Sequence, residues 1–169
     1  GYRQIMTLTL RKAADADYPS IISWVPDLAT AQLWGGPMMA FPLTVEELKS
    51  IIKPDEVHTF VMVHETDIVL GTAQFYFAEP SRFHLARIMV KPDERGKGYG
   101  RKLVNLLMGQ TWDVPNKYFT LNVNFGNDKA RALYESLGFA IAEPEQGSFS
   151  KTAHFMRKNL VDQLEGAKL

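Results

Sequence analysis

An extended stretch from Phe83 to Lys91 stops at Pro92, and glycines at 96, 98 and 100 then open a helical pattern that runs on to Gly109. Few features constrain a fold as tightly. Proline ends the strand, and each glycine lets the backbone turn without a Cβ clash, so that successive N–H groups converge on a concave, anion-binding surface. Those amides also lie at the positive end of the following helix, which makes a phosphate the natural ligand. Between residues 91 and 102 five cations (Lys91, Arg95, Lys97, Arg101 and Lys102) face two anions (Asp93 and Glu94), in a chain whose formal net charge is +0. The strand–helix–strand unit from Phe83 to Val123 is expected to be parallel and right-handed.

The spacing sorts the possible phosphate ligands. The nucleotide-binding pattern G-x-x-x-x-G-K-[ST] is absent, because no Gly-Lys here is followed by Ser or Thr. The dinucleotide pattern G-x-G-x-x-G fails as well: counted from Gly96 or Gly98, its final glycine falls on Arg101 or Leu103. The arrangement that fits is [QR]-x-x-G-x-[GA], as Arg95, Gly98 and Gly100, preceded by Val90-x-Pro92.

A second pattern follows about thirty residues on. A helix beginning near Asn127 and ending before Gly138 puts Asn127, Ala130, Tyr134 and Leu137 on one stripe. Asn127 suits an N-cap whatever else it does. Tyr134, beside Leu133 and Leu137, suits a core position with its hydroxyl at the surface. Each residue therefore has a structural reading next to a functional one.

The remaining elements complete a mixed sheet with helices on its faces. Thr7 to Arg11 alternates as an opening strand, Asp15 to Val25 carries helical spacing, and Leu33 to Pro42 is dense in breakers and reads as a loop. Thr44 and Glu47 stand in capping-box register ahead of a second helix to Ile52. Thr59 to His64 and Val69 to Phe77 precede the strand ending at Lys91; Tyr118 to Val123, Phe139 to Ala142 and Thr152 to Met156 follow as strands. The expectation is an α/β fold (a mixed sheet of about six to seven strands with about four helices), with residues 1–169 read as one domain.

Composition narrows the chemistry. With 46% hydrophobic and 22% charged residues, the 169-residue chain can bury a sizeable core. Balanced charge advertises neither nucleic acid nor a membrane surface as partner. The absence of cysteine removes disulfides, thiolate metal sites and a cysteine nucleophile together, and suits a cytoplasmic location. His58, His64, His84 and His154 show no metal-ligand spacing, so no metal is expected. The longest apolar runs are too short for a bilayer, and the flanks of Arg3, Arg11 and Lys12 do not match a signal peptide.

The two patterns together, in this order, resemble the GNAT superfamily of acyl-CoA N-acyltransferases; the second matches N-x-x-A-x-x-L-Y-x-x-x-G-F at Asn127, Ala130, Leu133, Tyr134, Gly138 and Phe139. The resemblance covers nearly the whole chain and implies acetyl-CoA as cosubstrate. It implies that Ile88, Met89 and Val90 offer backbone groups to the pantetheine arm and acetyl carbonyl. Arg95, Gly96, Lys97, Gly98, Tyr99 and Gly100 would hold the pyrophosphate, with Asn127, Ala130 and Tyr134 completing the cofactor site. Tyr134 takes the general-acid role, and His84 or Glu79, directly or through water, is the candidate base. Trp34, Met38, Met39 and Phe41 are candidates for bordering an amine acceptor, or for covering the core or a dimer interface. A homodimer is the superfamily-based expectation, and a non-catalytic acyl-CoA sensor is the alternative to an enzyme.

Overall fold

In a computed structural model of the protein, which describes residues 7–78 and 80–159, strand β1 (Thr9–Lys12) pairs antiparallel with β2 (His58–Val63), from Thr9↔Val63 to Lys12↔Phe60. Three helices lie between them in sequence: α1 (Tyr18–Ser23), α2 (Leu28–Gly35) and α3 (Val45–Ile52). Strands β3 (Val69–Ala78) and β4 (Arg82–Val90) lead into α4 (Tyr99–Gly109). Then come β5 (Tyr118–Asn124), α5 (Asp128–Ser136), β6 (Ala140–Ile141) and β7 (Ala153–Asn159). The seven strands form one mixed sheet in the order β1-β2-β3-β4-β5-β7-β6.

The expected α/β architecture is present, with five α-helices among the described residues where the sequence suggested about four. The additional one is α2, whose last three residues fall in the stretch read as a loop. Its pattern is weak because Ala31 is buried while Leu28 and Leu33 are exposed, so no apolar stripe marks it. The legible signal was its cap: the Asp27 side chain accepts a hydrogen bond from Thr30 N at 2.7 Å. Thr44 caps α3 in the same way, accepting from Glu47 N at 3.1 Å.

Two compact units divide the chain. One runs from its start to Gln74 and from Arg87 to Gln110; the other comprises Phe75 to Ala86 and the residues from Thr111 onward. Strands β3 and β4 each supply residues to both. The core of the first unit packs Tyr18 and Ile21 of α1, Ala31 of α2 and Leu48 and Ile52 of α3 on Val61, Val63 and Met89. Each large apolar side chain buried in this way contributes roughly 1.5–3 kcal/mol. The second unit is built round aromatic rings: Phe83 meets Phe75 edge-on at 5.2 Å and Phe119 at 6.1 Å. Here β4 runs parallel to β5, from Arg82↔Tyr118 to Leu85↔Leu121, as the strand–helix–strand reading requires. β7 pairs antiparallel with both β5 and β6.

Candidate active site

The glycine turn belongs to the first unit and follows β4 directly. Pro92 opens a single 3-10 turn to Glu94, where its missing N–H leaves no bond unmade. Arg95 is extended; Gly96 then takes φ +81° and Gly98 φ +83°, left-handed values that favour glycine. A Cβ placed on either glycine would meet no atom within 4 Å, so both face open space. Gly98 is the N-cap of α4 and brings no side-chain cap. The first-turn amides of α4, which by geometry lack intrahelical acceptors, therefore remain for a ligand. Both acids of the turn are engaged by lysines, Glu94 with Lys97 at 2.6 Å and Asp93 with Lys91 at 3.8 Å.

Upstream, β4 is kinked at Arg87, a non-glycine residue at φ +49°. Such a conformation costs about 1 kcal/mol or more and persists only where neighbours hold it. Arg87 Nε donates to Gly35 O at 3.0 Å and Nη1 to Gln74 Oε1 at 2.9 Å. Gln74 Nε2 is in turn fixed by Ile52 O at 3.1 Å and Thr59 Oγ1 at 2.6 Å. Burial draws the Arg87 pKa below its ordinary value, and among the described residues no carboxylate pairs with it. Beyond the kink Met89 is buried, while Ile88 and Val90 are half-buried. The resemblance implies exposed backbone groups at Ile88 to Val90 but not Arg87 as the holder of a kink before them. The signal available was a lone charge inside the apolar run Leu85 to Val90.

The second unit contains Asn127, Tyr134 and His84. Asn127 caps α5, its Oδ1 accepting from Ala130 N at 3.2 Å. Tyr134 is buried, edge-on to Phe139 at 6.0 Å, and desolvation pushes its pKa up to about 12. His84 is buried between Tyr76 (5.0 Å) and Phe155 (6.3 Å). Burial, then the charge of Arg82, lowers its pKa to about 4.

His84 joins a hydrogen-bond network with its neighbours. Arg82 Nη1 donates to Thr120 Oγ1 at 3.1 Å and approaches His84 Nδ1 at 3.4 Å. Thr120 Oγ1 and His84 Nδ1 share a hydrogen bond of 2.8 Å. Arg82 also donates to Ser148 Oγ at 3.0 Å and Gln146 O at 3.3 Å, tying the segment before β7 to β4.

Of the other candidates, Glu79 lies outside the described residues. His154 packs edge-on against Phe125 at 4.6 Å. Met39 enters the first unit's core, Met38 and Phe41 are exposed, and Trp34 sits on α2 beside a small cavity. Among the described residues no group of three or more His, Cys, Asp or Glu is arranged to hold a metal. No helix among them is long and apolar enough to cross a membrane.

Known proteins share this construction. The acetyltransferase (GNAT) family matches residues 19–139. A 5-NmdU N-acetyltransferase of Pseudomonas phage PaMx11 is 40% identical over 60 residues, covering 36% of this chain and 41% of that protein. A chimera of spermidine N-acetyltransferase SpeG from Vibrio cholerae and hSSAT superposes with a TM-score of 0.70 at 22% identity, over 93% of this chain and 98% of that one. AAC(6')-Ib in complex with ribostamycin and coenzyme A gives a TM-score of 0.72 at 20% identity, over 90% and 93%.

Proposed function

Because the chain belongs to the acetyltransferase (GNAT) family, we propose that it transfers acetyl from acetyl-CoA to a primary amine by direct attack within a ternary complex. The observation that carries this reading is the glycine turn. Two left-handed glycines open onto free space ahead of a helix with no side-chain cap, which fits a diphosphate and has no evident structural purpose. Gly96 to Gly100, with Arg95 and Lys97, hold the phosphates; Ile88 to Val90 offer backbone groups to the pantetheine arm; Asn127 and Ala130 border the same ligand. Acetyl-CoA supplies an activated thioester, and the protein supplies position and charge.

Three tasks remain for the chain. Backbone N–H of Met89 or Val90, just past the kink at Arg87, serves the thioester oxygen as negative charge builds on it. Tyr134 serves the departing sulfur. With its pKa near 12, complete proton transfer to a thiolate with a reference value near 8.5 is uphill by roughly 5 kcal/mol. Tyr134 therefore stabilises the sulfur by donating a hydrogen bond that completes transfer late. The third task is the proton of the amine. A His84 pKa of about 4 favours arrival of an already neutral amine over abstraction by His84. His84 is better suited to holding Thr120 and Arg82 in place.

The acceptor is a small amine, of which the 5-NmdU in the name of the phage relative is one candidate, or a protein amine. The test is release of CoA thiol from acetyl-CoA across an amine panel, with calorimetry of acetyl-CoA alone. Saturable turnover with at least one amine is expected. Binding without any turnover would instead make the domain an acyl-CoA sensor, and no binding at all would remove the phosphate-turn assignment.

A further inference from the structure

Within the first unit, Trp34 of α2, Thr59, Thr72, Gln74 and Arg87 border one cavity of ≈ 10 Å³, with apolar residues of α1 and α3 completing it. Three of these polar groups are already satisfied. Thr72 Oγ1 donates to Phe60 O at 2.9 Å, and Gln74 donates to Thr59 and accepts from Arg87. Two are not. Trp34 Nε1 is buried without an acceptor among the described residues. Arg87 has five N–H groups; bonds to Gly35 O and Gln74 Oε1 use two and leave three.

An unmatched buried indole N–H costs about 1–3 kcal/mol and calls for an acceptor, and the half-buried guanidinium lining the same cavity has donors to offer one. No acidic residue lines the cavity. A space of this size admits one oxygen atom or one water, and excludes a ring or a chain. Its position is also informative. Arg87 immediately precedes Ile88 to Val90, and Trp34 begins the segment that the family resemblance puts beside the acceptor.

We propose that Trp34 and Arg87 form an acceptor subsite that takes a single oxygen, carboxylate or carbonyl, of an amine substrate. The inference rests on the acetyl-transfer reading above and sharpens it to a substrate class. Acceptable amines carry an oxygen acceptor within a few bonds of the nitrogen. Polycationic amines are disfavoured at this point, because a second ammonium would face Arg87 with no carboxylate to meet it. Arg87 favours the neutral, attacking form of a nearby amine for the same electrostatic reason.

Three probes of equal length test this: γ-aminobutyrate (carboxylate), γ-aminobutyramide (carbonyl) and putrescine (ammonium), each with acetyl-CoA. One or both oxygen-bearing amines should exceed putrescine by about tenfold or more in kcat/KM. The carboxylate-to-carboxamide ratio tells which oxygen is preferred. Trp34→Phe, which keeps the ring and removes the N–H, should shrink that preference at least about fivefold through KM. Arg87→Lys, checked for folding by circular dichroism, should shrink it too. Putrescine turned over as well or better overturns the subsite while leaving acetyl transfer standing. An oxygen preference unmoved by either variant also overturns it and leaves the cavity to a structural water. Acetyl-CoA binding with no amine acetylated defeats the transfer reading itself, and the subsite falls with it.

Discussion

Arg82 and Arg87 sit five residues apart on β4, both without a carboxylate partner among the described residues, yet they are held in opposite ways. Arg82 is the more heavily engaged. Thr120, Ser148 and Gln146 accept from it, and the Tyr76 ring lies 5.9 Å from its charge. Arg87 has one backbone carbonyl and one amide oxygen, and a cavity alongside. A buried cation met by three acceptors and a ring is part of the scaffold. One with donors in reserve, beside an unmatched indole N–H, is open to a ligand. The contrast separates the stabilising end of the strand from the end proposed to meet substrate.

The largest effect should fall on the more heavily bonded end. Arg82→Met leaves three acceptors unmatched and is expected to cost about 4 kcal/mol in a denaturant melt. Arg87→Met should cost no more than about half of that, because fewer bonds are lost; equal losses would erase the distinction between the two arginines. Next comes the glycine turn. Gly98→Val forces a branched residue to φ +83° where nothing packs. Acetyl-CoA affinity should fall by at least about a hundredfold, near 3 kcal/mol, with a far smaller change in folding stability. Affinity retained in calorimetry would show that the turn is scaffold after all.

The pH dependence sharpens the comparison from the Arg82 side. His84 binds its proton less readily in the folded chain (about 4) than in the unfolded one (about 6.5). The unfolded state thus takes up protons first as pH falls. Stability is complete above the unfolded value and declines as pH drops toward 4, by roughly 2–3 kcal/mol in total. His84→Gln should flatten that part of a pH-stability curve, and an unchanged slope would mean His84 is not the group responsible. The smallest effect belongs to Tyr134→Phe. The hydroxyl makes no hydrogen bond among the described residues, so melting should barely move. Turnover should drop by about ten- to thirtyfold, near 2 kcal/mol, with acetyl-CoA affinity intact.

Local chemistry decided what the sequence disclosed. Glycine turns and caps are short-range, so Gly96, Gly98, Thr44 and Asn127 announced their conformations from type and spacing alone. Strand alternation gave the sheet its elements, and the parallel β4–β5 pair followed from handedness. Helix α2 escaped because its burial depends on partners distant in sequence and leaves no stripe. The environment of His84 escaped for the same reason: Thr120, Ser148 and Gln146 lie 36 to 66 residues away from their partners in the network. Its residue type suggests a base near neutrality, and only the assembled network reveals its burial. Arg87 was visible as a lone charge in an apolar strand, but what it grips was not.

The grip of Arg87 carries an implication for how acceptor choice can drift. Through Gly35 O it holds the last turn of α2, and through Gln74 it reaches Ile52 O at the end of α3. The guanidinium that would greet the acceptor is thus also the clasp that keeps the kinked strand in shape. Exchanging it to admit a different amine would loosen the scaffold around the reacting carbonyl. Trp34 carries no such second duty, so new acceptor preferences should arise there first, with residue 87 following only once another fastening has been found.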